Sequence, residues 1–242
     1  MSTKKPPVPA AHDASPADNR SGSREIEAFL KAARAIQPAA GRAGRLILAL
    51  DATMSRQPTW DLAVRLQSEM FDAASKAPPL NVQLVYFRGL GECRASKFVT
   101  DTEALKQLMV RIDCRGGHTQ IGKVLSHALK EAGREKVDAV VFIGDAMEES
   151  IDDLAVKAGD LGIRGVPVFM FQEGADKGVE KAFREIARLS RGAWFRFDRS
   201  AAATLARLLS AVAVFATGGL KALERRGTAE DRLMIEHLRN AR

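Results

Sequence analysis

Absences bound this chain before its motifs do. Only two cysteines, Cys93 and Cys114, occur among 242 residues; that excludes a disulfide framework, and their spacing is not that of a zinc clamp. No apolar segment approaches the roughly 20 residues that a membrane-spanning helix needs. The longest uncharged run, Leu208 to Leu220, stops at Arg207 and Lys221. Lys4 and Lys5 are followed by no apolar stretch, so no secretory leader is expected. The net charge of +7, from 37 basic and 30 acidic side chains, is spread along the chain with no basic block, so a nucleic-acid stripe is not expected either. The four histidines are scattered at 12, 118, 127 and 237. No serine or cysteine sits in a nucleophile elbow, which leaves a hydrolytic triad without footing. What remains is 46% hydrophobic and 28% charged, values that exclude a largely disordered or collagen-like chain. These features set the expectation of a reducing, cytoplasmic environment away from membranes.

At roughly 150 residues per domain, this length suits one domain with tails. Residues 1–23 are rich in Pro, Ala, Ser and Asp without apolar periodicity, which predicts a disordered tail. Ile26, Phe29, Leu30, Ala33 and Ile36 then recur at helical spacing, predicting an amphipathic helix and linker over 24–44. From residue 45 the pattern alternates. Continuous apolar runs at Leu46–Leu50, Val82–Phe87, Val137–Ile143 and Val166–Phe171 predict strands buried on both faces. Cys93–Val99 is expected as an antiparallel edge strand, and Ala193–Phe197 as the last strand. Helices are expected at 59–75, from an Asp101 cap to Arg111, and at 119–132, 151–161 and 179–189. The predicted fold class is therefore α/β, doubly wound. It has a mainly parallel central sheet, helices on both faces and one short antiparallel edge strand. The domain is expected over 45–217. Residues 218–242, broken at Gly218, Gly219 and Gly227, form a helical C-terminal extension, read as a solvated helix or a partner-binding arm.

In such sheets ligands bind beyond the carboxyl ends of the strands, and three of those ends carry hard oxygen donors. Asp51, Thr53 and Ser55 follow the first strand as D-x-T-x-S, an alternation that puts three oxygens on one side of an extended segment. Thr119 stands after Gly116-Gly117-His118 at a helix start, and Asp145 follows the central run VVFIG. Two carboxylates and three hydroxyls suit a hard divalent cation such as Mg2+, with Mn2+ or Ca2+ as substitutes. Each residue also has a plain structural reading: Thr119 as a helix cap, Ser55 as a turn former, the aspartates as acceptors for loop amides.

These motifs resemble the von Willebrand factor type A (VWA) domain and its metal-ion-dependent adhesion site (MIDAS). That family has D-x-S-x-S after its first strand, a threonine after a Gly-Gly turn and an aspartate after a later strand. Asp51, Thr53 and Ser55 match the first piece, Thr119 in GGHTQIGKVLSHAL the second, and Asp145 in FIGDAMEE the third. The resemblance covers about Arg45 to Arg199. Thr53 stands where the family usually has serine, and Gly144-Asp145-Ala146 stands where it has Thr-Asp-Gly. The resemblance implies a Rossmann-like fold, a metal site at these five residues and no enzymatic activity. It also implies a protein partner whose Asp or Glu completes the cation's shell. Bacterial members of the family often work beside AAA+ ATPases, so the resemblance implies such an ATPase or its substrate as the partner class.

Other signals carry less. Gly117 to Lys123 spells G-x-x-x-x-G-K, but Val124 stands where a phosphate loop needs a hydroxyl for magnesium. An aspartyl-nucleophile phosphatase would want a second carboxylate two residues after Asp51, where Thr53 stands. Glu148 and Glu149 are expected to favour the N-terminus of the helix that follows them. His118 reads as a solvent-facing turn residue, His127 as a surface or half-buried one, and Trp60 and Trp194 as packing residues. The alternatives left open are a scaffold with a vestigial metal site and, further off, a magnesium-dependent phosphatase or nucleotide hydrolase.

Overall fold

A computed structural model describes residues 43–56, 79–197 and 202–240. The tail over 1–23 and the helices expected over 24–36 and 59–75 lie outside the described residues, as does Trp60. Six strands form one sheet: β1 (Gly44–Asp51), β2 (Leu80–Arg88), β3 (Glu92–Ala95), β4 (Ala139–Gly144), β5 (Val168–Glu173) and β6 (Ala193–Phe197). Their spatial order is β3-β2-β1-β4-β5-β6. All neighbouring pairs are parallel except β2–β3 at the edge. The edge strand is shorter than the sequence suggests. It ends at Ala95, and Val99 makes only an isolated bridge to Val82.

The apolar runs work because this sheet is covered on both faces. Along β1, Leu46, Leu48 and Leu50 enter one apolar cluster while Ile47 and Ala49 enter the other, as the two-residue period of a strand requires. On the first face lie α1 (Thr102–Val110), α5 (Ala202–Arg226) and α6 (Ala229–Asn240), contributing Leu105, Leu209, Val212 and Met234 among others. On the second lie α2 (Ile121–Arg134), α3 (Ile151–Ile163) and α4 (Lys177–Leu189), contributing Val124, Leu125, Leu154 and Phe183. Phe142 sits at the heart of the second face, stacked on Phe87 at 5.9 Å and edge-on to Phe183 at 5.5 Å. Burial of a side chain of this size stabilises the fold by about 3 kcal/mol.

The helix starts follow from local chemistry. Asp101, Ser150 and Asp176 cap α1, α3 and α4 by accepting bonds from first-turn amides, which satisfies donors a helix cannot pair internally. The segment read as an extension buries Met234, Ile235 and Leu238 in the first cluster. Asp231, fully buried, accepts two bonds from Arg226. Gly219 breaks the path of α5 at φ 62°, a conformation that glycine adopts without steric cost. Thr204–Arg226 is long and apolar enough to cross a membrane by length and composition, contrary to the sequence expectation. Yet its Leu205, Leu208, Leu209, Val212 and Ala216 are buried against this sheet.

The strand order reverses between β1 and β4, because the chain adds β2 and β3 on one side of β1 and then crosses back to add β4, β5 and β6 on the other. A crevice opens at such a switch point beyond the carboxyl ends of the two strands. Asp51 is the last residue of β1, and Asp145 follows the last residue of β4.

Candidate metal centre at the switch point

Four of the five sequence-marked residues are joined by a continuous hydrogen-bonded chain. The Thr53 amide donates to Asp51 Oδ1 at 2.8 Å. The Thr53 and Ser55 hydroxyls lie 3.1 Å apart, and Ser55 Oγ donates to Asp145 Oδ1 at 3.2 Å. Asp51 and Thr53 are buried, Asp145 is half-buried and Ser55 is exposed, so the chain runs from the interior outward. The backbone geometry behind it is specific. Ala52 is tied on both sides, its amide donating to Phe87 O at 3.0 Å and its carbonyl accepting from Arg115 N at 3.0 Å. Thr53 forms a bridge with Arg115. The D-x-T-x-S segment therefore begins as a true continuation of the sheet and turns away only at the short 3-10 segment Met54–Arg56.

The two departures on the β4 side have physical accounts. A side chain at Gly144 would meet the Phe142 ring at 2.8 Å and Asp51 Cβ at 3.5 Å, so the space next to Asp51 is filled from below by an aromatic ring. Ala146 needs no glycine, because the only non-glycine residue at positive φ among the described residues is Arg191.

Thr119 lies at the same edge but is not a link in that chain. Its hydroxyl donates to Glu148 Oε2 at 2.8 Å, its amide donates to the same oxygen at 2.8 Å, and the Glu148 amide donates back to the hydroxyl at 3.1 Å. The loop before it is pinned by contact between glycines. A Cβ on Gly117 would sit 2.1 Å from the Gly89 carbonyl oxygen, and the His118 amide donates to that same oxygen at 3.3 Å. The second glycine of the Gly-Gly turn, Gly117, is thus a steric requirement, and His118 is exposed, as expected.

The helix after this turn begins at Ile121 rather than Thr119, and Thr119 is not its cap. Glu149 is. Its carboxylate accepts from the Ile121 amide, and from the Gly122 amide at 2.9 Å. This corrects the expectation that Glu148 and Glu149 serve the helix that follows them. That helix, α3, already has Ser150 as cap and Asp152 and Asp153 in its first turn. The two glutamates instead reach across to the start of α2 and the loop before it, 27–29 residues earlier. Burial pushes the Glu149 carboxyl above its ordinary range, against the lowering effect of the two amides.

The same contacts remove the phosphate-loop reading. The amides that would cradle a phosphate, those of Thr119, Ile121 and Gly122, are taken by carboxylates. Lys123 Nζ is occupied by Gly91 O at 2.9 Å and Gln120 Oε1 at 2.8 Å. An anion arriving at this helix end would meet two negative charges.

Carboxylate and hydroxyl oxygens are hard donors, so the set fits Mg2+, Mn2+ or Ca2+ better than a thiolate-bound metal. Among the described residues no three His, Cys, Asp or Glu side chains gather as a metal cluster. Any shell here must be completed by the hydroxyls.

No family model and no curated protein matches the sequence. Solved structures do match in shape. The SpRpn10 VWA domain aligns with a TM-score of 0.55 at 11% identity, over 68% of this chain and 94% of that one. Proximal thread matrix protein 1 from the mussel byssus, with a zinc-occupied MIDAS motif, aligns at 0.57 and 18%, over 78% of this chain and 51% of that one. The vWF domain of the type V pili tip protein Mfa5 from Porphyromonas gingivalis aligns at 0.53 and 11%, over 70% of this chain and 95% of that one. This chain thus spans about half of the mussel protein and nearly all of the two isolated domains. At these identities the likeness is one of fold, and it agrees with the strand order, the switch point and the edge strand described above. The chain has the von Willebrand factor type A fold.

Proposed function

We propose that this domain is a non-enzymatic, protein-binding adaptor whose carboxyl-edge cluster holds a divalent cation, Mg2+ in the first instance. The observation that carries this reading is the hydrogen-bonded chain Asp51–Thr53–Ser55–Asp145 across the switch point. Carboxylates from the ends of two strands are linked through the Thr53 amide and the Thr53 and Ser55 hydroxyls, and those hydroxyls are themselves good ligands for a hard ion. Asp51, Thr53, Ser55, Thr119 and Asp145 are the residues that would hold it. The cation would supply positive charge and an open coordination position for a carboxylate from outside. Within this chain, Asp51 and Asp145 supply charge, the hydroxyls supply neutral oxygen donors, and the buried β1 and β4 ends keep both carboxylates in register.

The partner is then a protein presenting Asp or Glu, and the setting a bacterial cytoplasmic assembly served by an AAA+ ATPase or its substrate. The test is affinity capture from lysate with and without EDTA, using parent and Asp51→Ala protein, alongside calorimetric titration of Mg2+ and Mn2+ into both. Capture should vanish with chelator and with the substitution. Mg2+ at a hundredfold above its Kd should add about 2.7 kcal/mol to the parent's stability and nothing to Asp51→Ala. Capture indifferent to EDTA, with no metal heat in the parent, would leave only a scaffold.

A further inference from the structure

Thr119 matches the sequence motif of a ligand, yet its hydroxyl is engaged by a glutamate that no motif marks. A hydroxyl has one proton to give and two lone pairs to offer. Here the proton goes to Glu148 Oε2 and one lone pair takes the Glu148 amide hydrogen. Both commitments are to one residue, and they fix the rotation of the hydroxyl. The second lone pair is the only direction left, and the proton cannot swing round to face a cation. Donation to a carboxylate also makes the oxygen more electron-rich, and so a stronger donor to metal. Glu148 performs a second task through its place in the chain. It stands three residues after Asp145 on the β4–α3 loop, while Thr119 belongs to the loop before α2. The triple contact therefore clasps together two of the loops that carry the proposed ligands.

We infer that Glu148 is a positioning residue of the cation site, one that orients and polarises the Thr119 hydroxyl without itself binding the ion. The inference rests on the cation reading proposed above. It predicts that the larger part of Glu148's effect on metal affinity runs through the Thr119 hydroxyl. A loop prop without that role would affect folding and would act independently of the Thr119 hydroxyl.

Calorimetric titration of Mn2+ alone into the full chain tests this, with thermal unfolding in EDTA as the measure of folding. Glu148→Ala should weaken Mn2+ binding by roughly 10–100-fold, and Thr119→Val by a comparable factor. The double variant should lose clearly less than the product of the two single losses. Glu148→Gln keeps an acceptor oxygen for the hydroxyl and amide. It should fold as the parent does, lose less than about tenfold, and lose still less in the Thr119→Val background. Parent-like affinity in both Glu148 variants, or losses that add in full to that of Thr119→Val, overturns the inference and leaves the cation reading standing. A parent that binds no Mn2+ overturns the cation reading and the inference with it.

Discussion

At the amino end of the sheet, buried Arg45 lies 2.9 Å from Glu135 and 3.7 Å from Glu131 and stacks over Phe98 at 3.9 Å. Its own amide donates to Asp138 Oδ2 at 2.9 Å, and Lys136 meets the other Asp138 oxygen at 3.2 Å. At the carboxyl end, Asp51, Asp145, Glu148 and Glu149 crowd the ends of β1, β4 and α2. There, among the described residues, no lysine or arginine forms an ion pair with Asp145, Glu148 or Glu149. The same sheet thus disposes of acidic groups in two ways. One end neutralises them with cations from the chain, which is a structural solution. The other holds Asp145, Glu148 and Glu149 with hydroxyls and amides, which fixes their positions without a lysine or arginine ion pair among the described residues. That difference is why the carboxyl end reads as a site and the amino end does not.

Arg45→Ala would break the contrast most severely. Without the guanidinium, the mostly buried Glu131 loses a counter-charge, and stability measured by urea unfolding should fall by about 3 kcal/mol. Neutralising one aspartate at each end sharpens the contrast. Asp138→Asn should cost about 1–3 kcal/mol, because a charged acceptor is lost from a buried amide. Asp145→Asn, assayed without divalent ions, should cost less than about 0.5 kcal/mol, since it relieves local negative charge while Ser55 keeps an acceptor. Equal losses at the two ends would erase the distinction.

The smallest effect belongs to His127, on α2 between the capped end and Glu131. Burial holds its pKa below the ordinary 6.5, and its ring contacts Gln83 Oε1 at 2.8 Å. Between the folded pKa and 6.5 the unfolded chain binds more protons than the native one. This contribution to stability is present above about pH 6.5 and is lost as the pH falls from there through the lower folded pKa. His127→Gln should flatten that slope in unfolding curves taken between pH 7.5 and 5.5.

The fold was legible because a doubly covered parallel strand must be apolar at every position, as LILAL and VVFI are. Asp51 and Asp145 were legible because they follow those runs directly. Glu148 and Glu149 were not, and the reason is distance along the chain. Helix-dipole reasoning is local and assigned them to α3, two or three residues ahead, whereas Glu149 caps a helix that begins 28 residues earlier and Glu148 holds Thr119 just before it. No periodicity in sequence encodes such a reach. Thr119 was correctly placed at the sheet edge for the same reason that its helix start was misplaced. The Gly-Gly turn marks where the chain must pass close to Gly89, but not which donors the next two amides will find.

The sealing of the α2 terminus by Glu149 has an outcome for how the proposed site would grip a partner. Helix starts ordinarily lure anions through bare amides, yet here that lure has been consumed internally. In the cation reading, an incoming acid would be drawn to this rim by a captured metal and not by the α2 amides. Grip would then follow divalent concentration like a key-operated clasp, with little residual stickiness once the ion departs.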